Sequence, residues 1–492
     1  MNRRQFCSRV AAAGFAAAYP VPGPWHRRAL AATEANTSIA AVSLDGTAIQ
    51  LERAAIKELG DILSGPVMLT GHPQYDEARK LWNGMHDRRP ALIARCLSSS
   101  DVAHAVTFAH ERRLLTAVRG GGHSWPGHSV CDRGLVIDLS QMNGVSVDPA
   151  TRRARAQGGA LLSGLDTAAL EHGLATTTGV VSHTGVGGYT LGGGFGNLNR
   201  KFGLTIDNLT AARMITADGR DRMISAEQEP DLFWAIRGGG GNFGVVTEFE
   251  YQLHPFDRNL LSGNILWPFE QAREVLEFYA EWSAGLSEAM YAGPALARHP
   301  ELGDVAIVTV VYNGNPADGE RELAPLRRIG KPAVDGVVVQ DHMILQTSRD
   351  AVFHHGIRSY AKNGMVKAWS QGLVNALIDS HDARVLVGSH IVGGAVKRVG
   401  ELDTAFPHRN AELTLVVASM WEEAALDEER IAAARAVYSA LEPFMGGYYS
   451  NIDFDHSKTA GNYGPAYPRL AKVKRQFDPD NFFRLNSNIK PA

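Results

Sequence analysis

The chain has 492 residues and a formal net charge of −3, with 45% hydrophobic and 21% charged residues. A chain of this length exceeds the size at which a single hydrophobic core stops growing, so we expect two lobes with a ligand cleft at their interface. Basic residues are balanced by acidic ones, and no basic stripe is interleaved with aromatic residues, which excludes nucleic acid as an expected partner. The composition is typical of a soluble globular protein.

The N-terminal residues 1–31 have the pattern of an export signal. Arg3-Arg4 precedes a weakly apolar stretch, Val10 to Ala18, that is too short to span a bilayer, and Ala29-Leu30-Ala31 supplies a small-x-small cleavage pattern. We predict a twin-arginine signal peptide cleaved near Ala31, and hence a periplasmic or secreted protein without a membrane span. The alternative is an ordinary basic terminus.

The cysteine and histidine residues do not form the spacing patterns of a metal site or of a disulfide framework. Of three cysteines, Cys7 would leave with the signal, and Cys96 and Cys131 could form at most one disulfide. His123 and His128 are five residues apart but lack a carboxylate or cysteine partner at ligand spacing. We therefore expect no metal site.

Alternating β-branched runs and amphipathic repeats predict an α+β fold. Before residue 258, the predicted strands lie at 134–139 and 244–251 and the predicted helices at 100–110, 161–172 and 230–236. After residue 258, the predicted strands lie at 304–312, 384–391 and 413–419 and the predicted helices at 271–284 and 423–441. This second pattern favours an antiparallel sheet covered on one face by helices. The expected domains are 50–257, 258–445 and a C-terminal segment, 446–492, that packs back on the first lobe.

The first of three glycine motifs is Val118-Arg-Gly-Gly-Gly-His-Ser-Trp-Pro-Gly127. Three consecutive glycines let the backbone approach a bulky anion and turn its N–H groups towards it, as in a phosphate nest. His123 would project from this loop against the ligand. The alternative is a tight turn beside a surface histidine.

The second motif, residues 185–196, holds seven glycines in twelve residues. Ordering so many glycines is costly in backbone entropy, and a large planar cofactor lying against bare backbone would offset that cost. The alternative, a flexible linker, fits poorly with the embedded Leu191 and Phe195.

The third motif, Arg237-Gly-Gly-Gly-Gly-Asn-Phe-Gly244, contains a formal G-x-G-x-x-G. A dinucleotide fingerprint needs a strand before it and a helix after it, whereas here a predicted helix precedes and a predicted strand follows. NAD binding is therefore disfavoured. The sequence also lacks a G-x-S-x-G elbow, a P-loop and an H-E-x-x-H motif.

Taken together and in this order, the three motifs resemble the PCMH-type FAD-binding domain of berberine bridge enzyme-like oxidases, bacterial branch, within the vanillyl-alcohol oxidase family. The resemblance extends from about Arg89 to Phe256 and resumes at Gly446 to Ile489, where the run Asp478 to Asn486 is similar to the family's C-terminal signature. It implies FAD between two α+β subdomains, with a substrate lobe over the isoalloxazine ring.

The resemblance also implies which residues bind FAD. His123 would carry a covalent bond to the flavin 8α-methyl group, Val246 would touch the adenine end, and Tyr189 would lie near flavin N1. The pyrophosphate would be wrapped by Arg119, Gly120, Gly121, Gly122, His123 and Ser124. The ring and ribityl chain would be lined by Gly179, Gly185, Gly187, Gly188, Gly192, Gly193, Gly194 and Gly196. The same cofactor-binding set includes Gly127, His128, Val181, Thr184, Asn486 and Asn488.

Two departures from the family pattern matter. Many relatives attach the flavin a second time through a cysteine at the position of Val181, so we expect a single linkage. The family's usual catalytic tyrosines are replaced here by Ile452 and Phe195. The candidates for the proton acceptor are therefore Tyr449, His390 and His183.

The expected activity is hydride transfer from a hydroxylated or amine small molecule, a sugar or a secondary metabolite, to covalently bound FAD. Molecular oxygen is the expected acceptor, giving hydrogen peroxide. The alternatives are a dehydrogenase with another electron acceptor and a catalytically impaired flavin-binding protein. The expected assembly is a monomer or a homodimer.

Overall fold

A computed structural model describes residues 38–455 and 457–492. The predicted export signal at 1–31 lies outside the described residues. Within the part of the chain that the structure describes, no helix combines the length and the apolar character needed to cross a bilayer.

The first subdomain, residues 38–139, contains an antiparallel ribbon and a four-stranded sheet in the order β3-β4-β6-β5, with β4, β6 and β5 parallel. Its strands are β1 Ser38–Val42, β2 Ala48–Glu52, β3 Val67–Met68, β4 Leu92–Arg95, β5 Thr116–Arg119 and β6 Leu135–Asp138. Its helices are α1 Arg53–Ile62, α2 Tyr75–Ala78 and α3 Ser99–Glu111. Helix α3 begins where the Ser98 hydroxyl accepts a hydrogen bond from the Asp101 amide, which is an N-cap.

The second subdomain is a five-stranded antiparallel sheet in the order β11-β10-β12-β8-β7. Its strands, with the short pair β9 and β13, are β7 Val145–Asp148, β8 Arg153–Gln157, β9 Leu174–Ala175, β10 Leu209–Ile215, β11 Asp221–Ser225, β12 Val245–Gln252 and β13 His254–Pro255. Its helices are α4 Leu162–Leu170, α5 Val186–Leu191, α6 Asn199–Phe202 and α7 Pro230–Ile236. The third glycine motif thus follows a helix and precedes a strand, as predicted, and is not a dinucleotide fingerprint.

The second lobe is built on an eight-stranded antiparallel sheet in the order β17-β14-β16-β15-β20-β21-β19, with β18 also pairing with β14. Its strands are β14 Asn259–Pro268, β15 Met290–His299, β16 Gly303–Tyr312, β17 Val334–Asp335, β18 Val338–Asp341, β19 Arg358–Val366, β20 Leu386–Ile391 and β21 Leu413–Trp421. Its helices are α8 Ala272–Trp282, α9 Pro316–Arg327, α10 His342–Thr347, α11 Gln371–Asp379, α12 Ala395–Arg398 and α13 Asp427–Leu441.

The two faces of this sheet have different partners. Leu415 and Val417 of β21 belong to a buried cluster with α8, α11 and α13. Val416 and Ala418, which alternate with them, face a cavity on the other side. The period-2 alternation of the strand therefore separates the core of the lobe from its ligand-binding face.

The C-terminal segment contains α14 Thr459–Tyr463 and α15 Tyr467–Phe477 and packs on the second subdomain. The ammonium of Lys474, fully buried, pairs with Asp478 at 2.6 Å and donates to the carbonyl of Asn242 at 2.6 Å. The amide of Ile489 donates to Asn242 Oδ1. The end of the chain is thereby fixed against the third glycine motif.

The predicted α+β class is confirmed. The possible disulfide does not form, because Cys96 and Cys131 are separate, buried free thiols. Burial raises the pKa of the Cys131 thiol to about 12.

Candidate cofactor and substrate cavity

A cavity of about 340 Å³ lies between the glycine motifs and the free face of the large sheet. Small-molecule sites have volumes of roughly 300–1,000 Å³ and mostly apolar walls, as here. The cavity brings together these residues of the predicted site: Gly120, Gly121, Gly122, His123, Ser124, His128, Gly179, Val181, Thr184, Gly185, Gly187, Gly188, Tyr189, Val246, His390, Tyr449 and Asn486. The remaining predicted residues do not line it: Arg119, Gly127, His183, Gly192, Gly193, Gly194, Gly196 and Asn488.

The first two glycine motifs meet backbone to backbone in the cavity wall. A Cβ atom on Gly121 would lie 2.4 Å from the Cα of Gly185, and one on Gly185 would lie 2.5 Å from the amide nitrogen of Gly121. Neither position can accept a side chain without separating the loops. Glycine is therefore required at both positions for this close approach.

His123 lies in the wall as a neutral imidazole. Its ring stacks on Trp82, with ring centroids 4.3 Å apart and planes 10° apart. Burial, and then the proximity of His183, lower the pKa of His123 to about 3. Its Nε2 atom is buried without a hydrogen-bond partner among the described residues. A nitrogen lone pair is thus available at neutral pH.

The cavity fits a large cofactor with both a flat ring system and polar edges. A Cβ atom on Gly188 or Gly241 would meet no atom within 4 Å, so bare backbone faces open space there. The Oδ1 atom of Asn486 is buried and has no partner in the described chain. FAD would cover this backbone and could satisfy these polar groups. The residues present therefore fit the cofactor.

Several predicted residues contact the protein instead of the cavity. The guanidinium of Arg119 pairs with the buried Asp138 at 3.2 Å. A Cβ atom on Gly192 would lie 2.2 Å from Asn451 Oδ1, and one on Gly196 would lie 1.8 Å from the carbonyl oxygen of Thr178. In the second half of this motif, glycine is required by packing against neighbouring protein. His183 lies behind the wall, with its ring centroid 5.1 Å from that of His123.

The two tyrosines predicted for the site, Tyr189 and Tyr449, have hydroxyls engaged by the protein. Tyr189 donates to the carbonyl of Phe195 at 2.9 Å and accepts from Thr205 at 3.0 Å, so its proton is not directed at a cofactor. The hydroxyl of Tyr449 accepts from the Gly194 amide at 3.2 Å and from the Asn451 amide group at 2.7 Å. Burial nevertheless raises the pKa of Tyr449 to about 12, so the phenolate needed in a base is scarce.

His390 is better suited to accept a proton. It lies on β20, lines the cavity, and stacks on Phe195 with ring centroids 5.7 Å apart. Burial, and then the charge of Arg349, lower the pKa of His390 to about 4. The imidazole is therefore neutral at physiological pH, and its Nδ1 atom has no partner in the described chain.

Sequence reasoning missed three groups of wall residues. Gly240, Gly241 and Gly244 belong to the third motif. The sequence argued against NAD binding at this motif, and its residues were not assigned to any other ligand. Leu386 and Gly388 could have been found from strand alternation around His390. The other wall residues missed include Trp125, Tyr463, Arg349, Phe353, Ser389, Val416 and Ala418. For Arg349 and Phe353 the sequence offers no signal.

Comparisons with known proteins agree with this geometry. Residues 90–223 match the family model of the FAD binding domain, and residues 448–490 match the model described as berberine and berberine like. The chain is 31% identical to an FAD-linked oxidoreductase of Dictyostelium discoideum, over 89% of this chain and 97% of that protein. It is 33% identical to (R)-6-hydroxynicotine oxidase of Paenarthrobacter nicotinovorans, over 87% and 97% of the two chains.

The fold agrees as well. The crystal structure of 6-hydroxy-D-nicotine oxidase from Arthrobacter nicotinovorans superposes with a TM-score of 0.81 and 32% identity, covering 87% of this chain and 98% of that one. Chitooligosaccharide oxidase superposes with a TM-score of 0.80 at 24% identity, which is a likeness of fold. Fold and cavity define an FAD-dependent oxidoreductase. The chain belongs to the berberine bridge enzyme-like family of FAD-linked oxidoreductases.

Proposed function

We propose that this protein is an exported oxidase that holds FAD through a single covalent bond to His123. Its substrate is a small molecule with a C–H bond next to a hydroxyl or amine, and oxygen is reduced to hydrogen peroxide. The observation that carries the covalent bond is the neutral imidazole of His123 in the cavity wall, with Nε2 unpartnered. A neutral nitrogen is the form that can bond to carbon.

A single bond is supported by the residue at position 181. Val181 lines the cavity at the position where doubly linked relatives have a cysteine. Cys96 and Cys131 are buried elsewhere, and no cysteine of residues 38–455 and 457–492 lines the cavity. The described part of the chain therefore offers no cysteine sulfur for a second bond.

The face of the large sheet that borders the cavity would bind the substrate. His390 accepts the proton of the substrate hydroxyl or amine, because it is the neutral base that faces the cavity from β20. Apolar walls, including Phe195 and Val416, exclude water from the reacting bond. The flavin supplies the hydride acceptor and passes the electrons on.

Oxygen as acceptor and export are supported less directly. The relative at 33% identity and the solved structure at 32% identity are both named as oxidases of 6-hydroxynicotine. The twin-arginine pattern at residues 1–31 supports export, and this route carries proteins already folded with their cofactor.

The linkage is tested on protein expressed with its signal. Wild type, His123→Ala and the control His104→Ala, whose histidine is exposed on α3, are precipitated in acid and measured by absorbance and intact mass. We expect flavin colour and an FAD-sized mass increment in wild type and control, and neither in His123→Ala. A wild type that releases all its flavin overturns the linkage.

The reaction is tested next on the same wild-type protein. A panel of alcohols, sugars, amines, hydroxy acids and amino acids is screened without oxygen for bleaching of the flavin, and air is then admitted. Bleaching followed by recolouring with stoichiometric peroxide is the expected result. Bleaching without recolouring in air makes the protein a dehydrogenase, and no bleaching by any compound contradicts an enzymatic role.

A further inference from the structure

The cavity wall contains one cation that no carboxylate neutralises. Arg349 is the only arginine or lysine lining the cavity among the described residues, and no aspartate or glutamate of the same ranges lines it. Among the described residues its guanidinium makes a single hydrogen bond, and that bond is long, 3.4 Å from Nη2 to Thr309 Oγ1. Five N–H donors are available in a guanidinium, so most of them remain unused by the protein.

Three other arginines with little exposed side chain each pair with a carboxylate. Arg409 makes a bidentate pair with Asp207, with both distances 2.7 Å. Arg95 pairs with Asp138, and Arg358 with Asp427. Compared with these three arginines, the enclosed guanidinium of Arg349 lacks the carboxylate that would complete an ion pair.

The segment that carries Arg349 is fixed between the two lobes. Asp350 accepts hydrogen bonds from the Ser182 amide at 3.0 Å and the Ser182 hydroxyl at 2.6 Å. The Trp82 indole donates to the carbonyl of Phe353 at 2.5 Å. Because the backbone on both sides is anchored to the FAD-binding subdomains, Arg349 is held in place before any ligand arrives.

Arg349 faces the substrate side of the cavity. It contacts Thr309 of β16, and its charge acts on Tyr291 of β15 and His390 of β20, all on the large sheet. The glycine motifs that fit the cofactor belong to the other lobe. The guanidinium is therefore next to the proposed proton acceptor and not beside the proposed phosphate nest.

We propose that Arg349 binds a carboxylate on the substrate, so that the enzyme oxidises a monoanionic acid with an apolar body. This rests on the proposed oxidase function and names the substrate class of the same site. A guanidinium and a carboxylate match in shape and form two parallel hydrogen bonds. A single cation favours a monoanion over a phosphate dianion, and the surrounding Phe195, Leu386 and Val416 favour an apolar remainder.

Burial agrees with this assignment. Enclosure lowers the pKa of Arg349, which means that the protein disfavours its charge in the absence of a counterion. A bound carboxylate would supply that counterion inside the cavity, where the interaction is poorly screened by water. Neutral sugars and amines would leave the charge uncompensated.

The test uses the flavin-loaded full chain and three pairs of probes matched in shape: benzoate and benzamide, phenylacetate and phenylacetamide, hexanoate and hexanamide. Binding is followed by the change in the flavin absorption spectrum at pH 7.5. We expect at least one acid to bind at least tenfold more tightly than its amide. Arg349→Gln should remove that preference, Arg349→Lys should keep part of it, and the exposed control Arg328→Gln should keep all of it.

The wild-type protein alone can overturn the proposal. Equal affinity for acid and amide in all three pairs on the wild type, including no binding of either, overturns the proposal, as does an acid preference that survives Arg349→Gln. If acid precipitation shows that the flavin linkage fails, the same pairs are compared by thermal shift, since a carboxylate site at Arg349 does not depend on the covalent bond. The two proposals therefore fail separately.

Discussion

The indole of Trp82 lies flat against the imidazole of His123, with ring centroids 4.3 Å apart. This stack fixes the plane of the ring that we propose as the flavin tether. Trp82→Leu should therefore lower the acid-stable flavin fraction severalfold, because the imidazole can rotate out of line. Trp82→Phe, which keeps an aromatic face, should retain most of it. Wild-type linkage in Trp82→Leu would show that the stack does not orient the nucleophile.

Position 181 should accept a second linkage. Val181 is buried in the cavity wall, so a cysteine there would face the ring. We expect the double variant His123→Ala/Val181→Cys to regain acid-stable flavin, and His123→Ala/Val181→Ser to release all of it. Intact mass distinguishes the two. Equal release from both variants would mean that this position does not face the reactive edge.

His390 should control the reductive half-reaction. A general base contributes roughly 10²–10⁴-fold to rate, so His390→Gln should slow flavin reduction by that factor in anaerobic stopped flow, with Tyr449→Phe changing it far less. Because the imidazole accepts a proton only when neutral and its pKa is about 4, the wild-type rate should be flat above that pH and fall as the pH drops through it. A larger loss in Tyr449→Phe than in His390→Gln would reverse the assignment.

The ion pair of Arg409 and Asp207 should be essential to stability. Their side chains are 1% and 7% exposed, and removing one partner of a buried pair costs about 3–5 kcal/mol. Arg409→Met should lower the urea midpoint markedly. The control Lys57→Met breaks an exposed pair with Asp61, 76% and 63% exposed, where about 0–1 kcal/mol is expected. Similar midpoint shifts in both variants would contradict this ranking.

Buried histidines should make the protein sensitive to mild acid. Burial lowers the pKa of His342 and of His408 to about 4, from 6.5. Between those values the unfolded chain takes up protons that the folded chain refuses, so stability is full above pH 6.5 and falls as the pH drops towards 4. Each histidine contributes up to about 1.4 kcal/mol per pH unit.

This acid sensitivity is measured as the thermal midpoint at pH 7 and pH 5. The double variant His342→Leu/His408→Leu should lose less of its midpoint between the two pH values than wild type does. The exposed His104→Ala serves as the control and should behave like wild type. An undiminished loss in the double variant would assign the acid sensitivity to other groups.

Local patterns predicted most of the fold. The strand at 134–139 is observed at Leu135–Asp138, and the helix at 100–110 at Ser99–Glu111, because a β-branched run and an N-cap are encoded by adjacent residues. The wall residues of the first glycine motif were also predicted, because they too are adjacent in the sequence. Arg349 did not, since its position depends on the contact of Asp350 with Ser182, 168 residues away in the chain.

Packing between distant segments also limited the glycine prediction. Gly192 and Gly196 were expected against the cofactor, and the structure places them against Asn451 and Thr178. A glycine pattern shows that something lies close to the backbone. It does not distinguish a ligand from another part of the chain.

The fixation of the C-terminal segment by Lys474 and Asp478 has a consequence for biogenesis. Phe483, Asn486 and Ser487 line the cavity, although the glycine motifs they face are made more than two hundred residues earlier. The cavity is therefore incomplete until the C-terminal segment has been made, and we expect flavin to bind after synthesis of the chain. We would then expect flavin absorbance only in chains that contain this segment, and a chain truncated before it should be colourless.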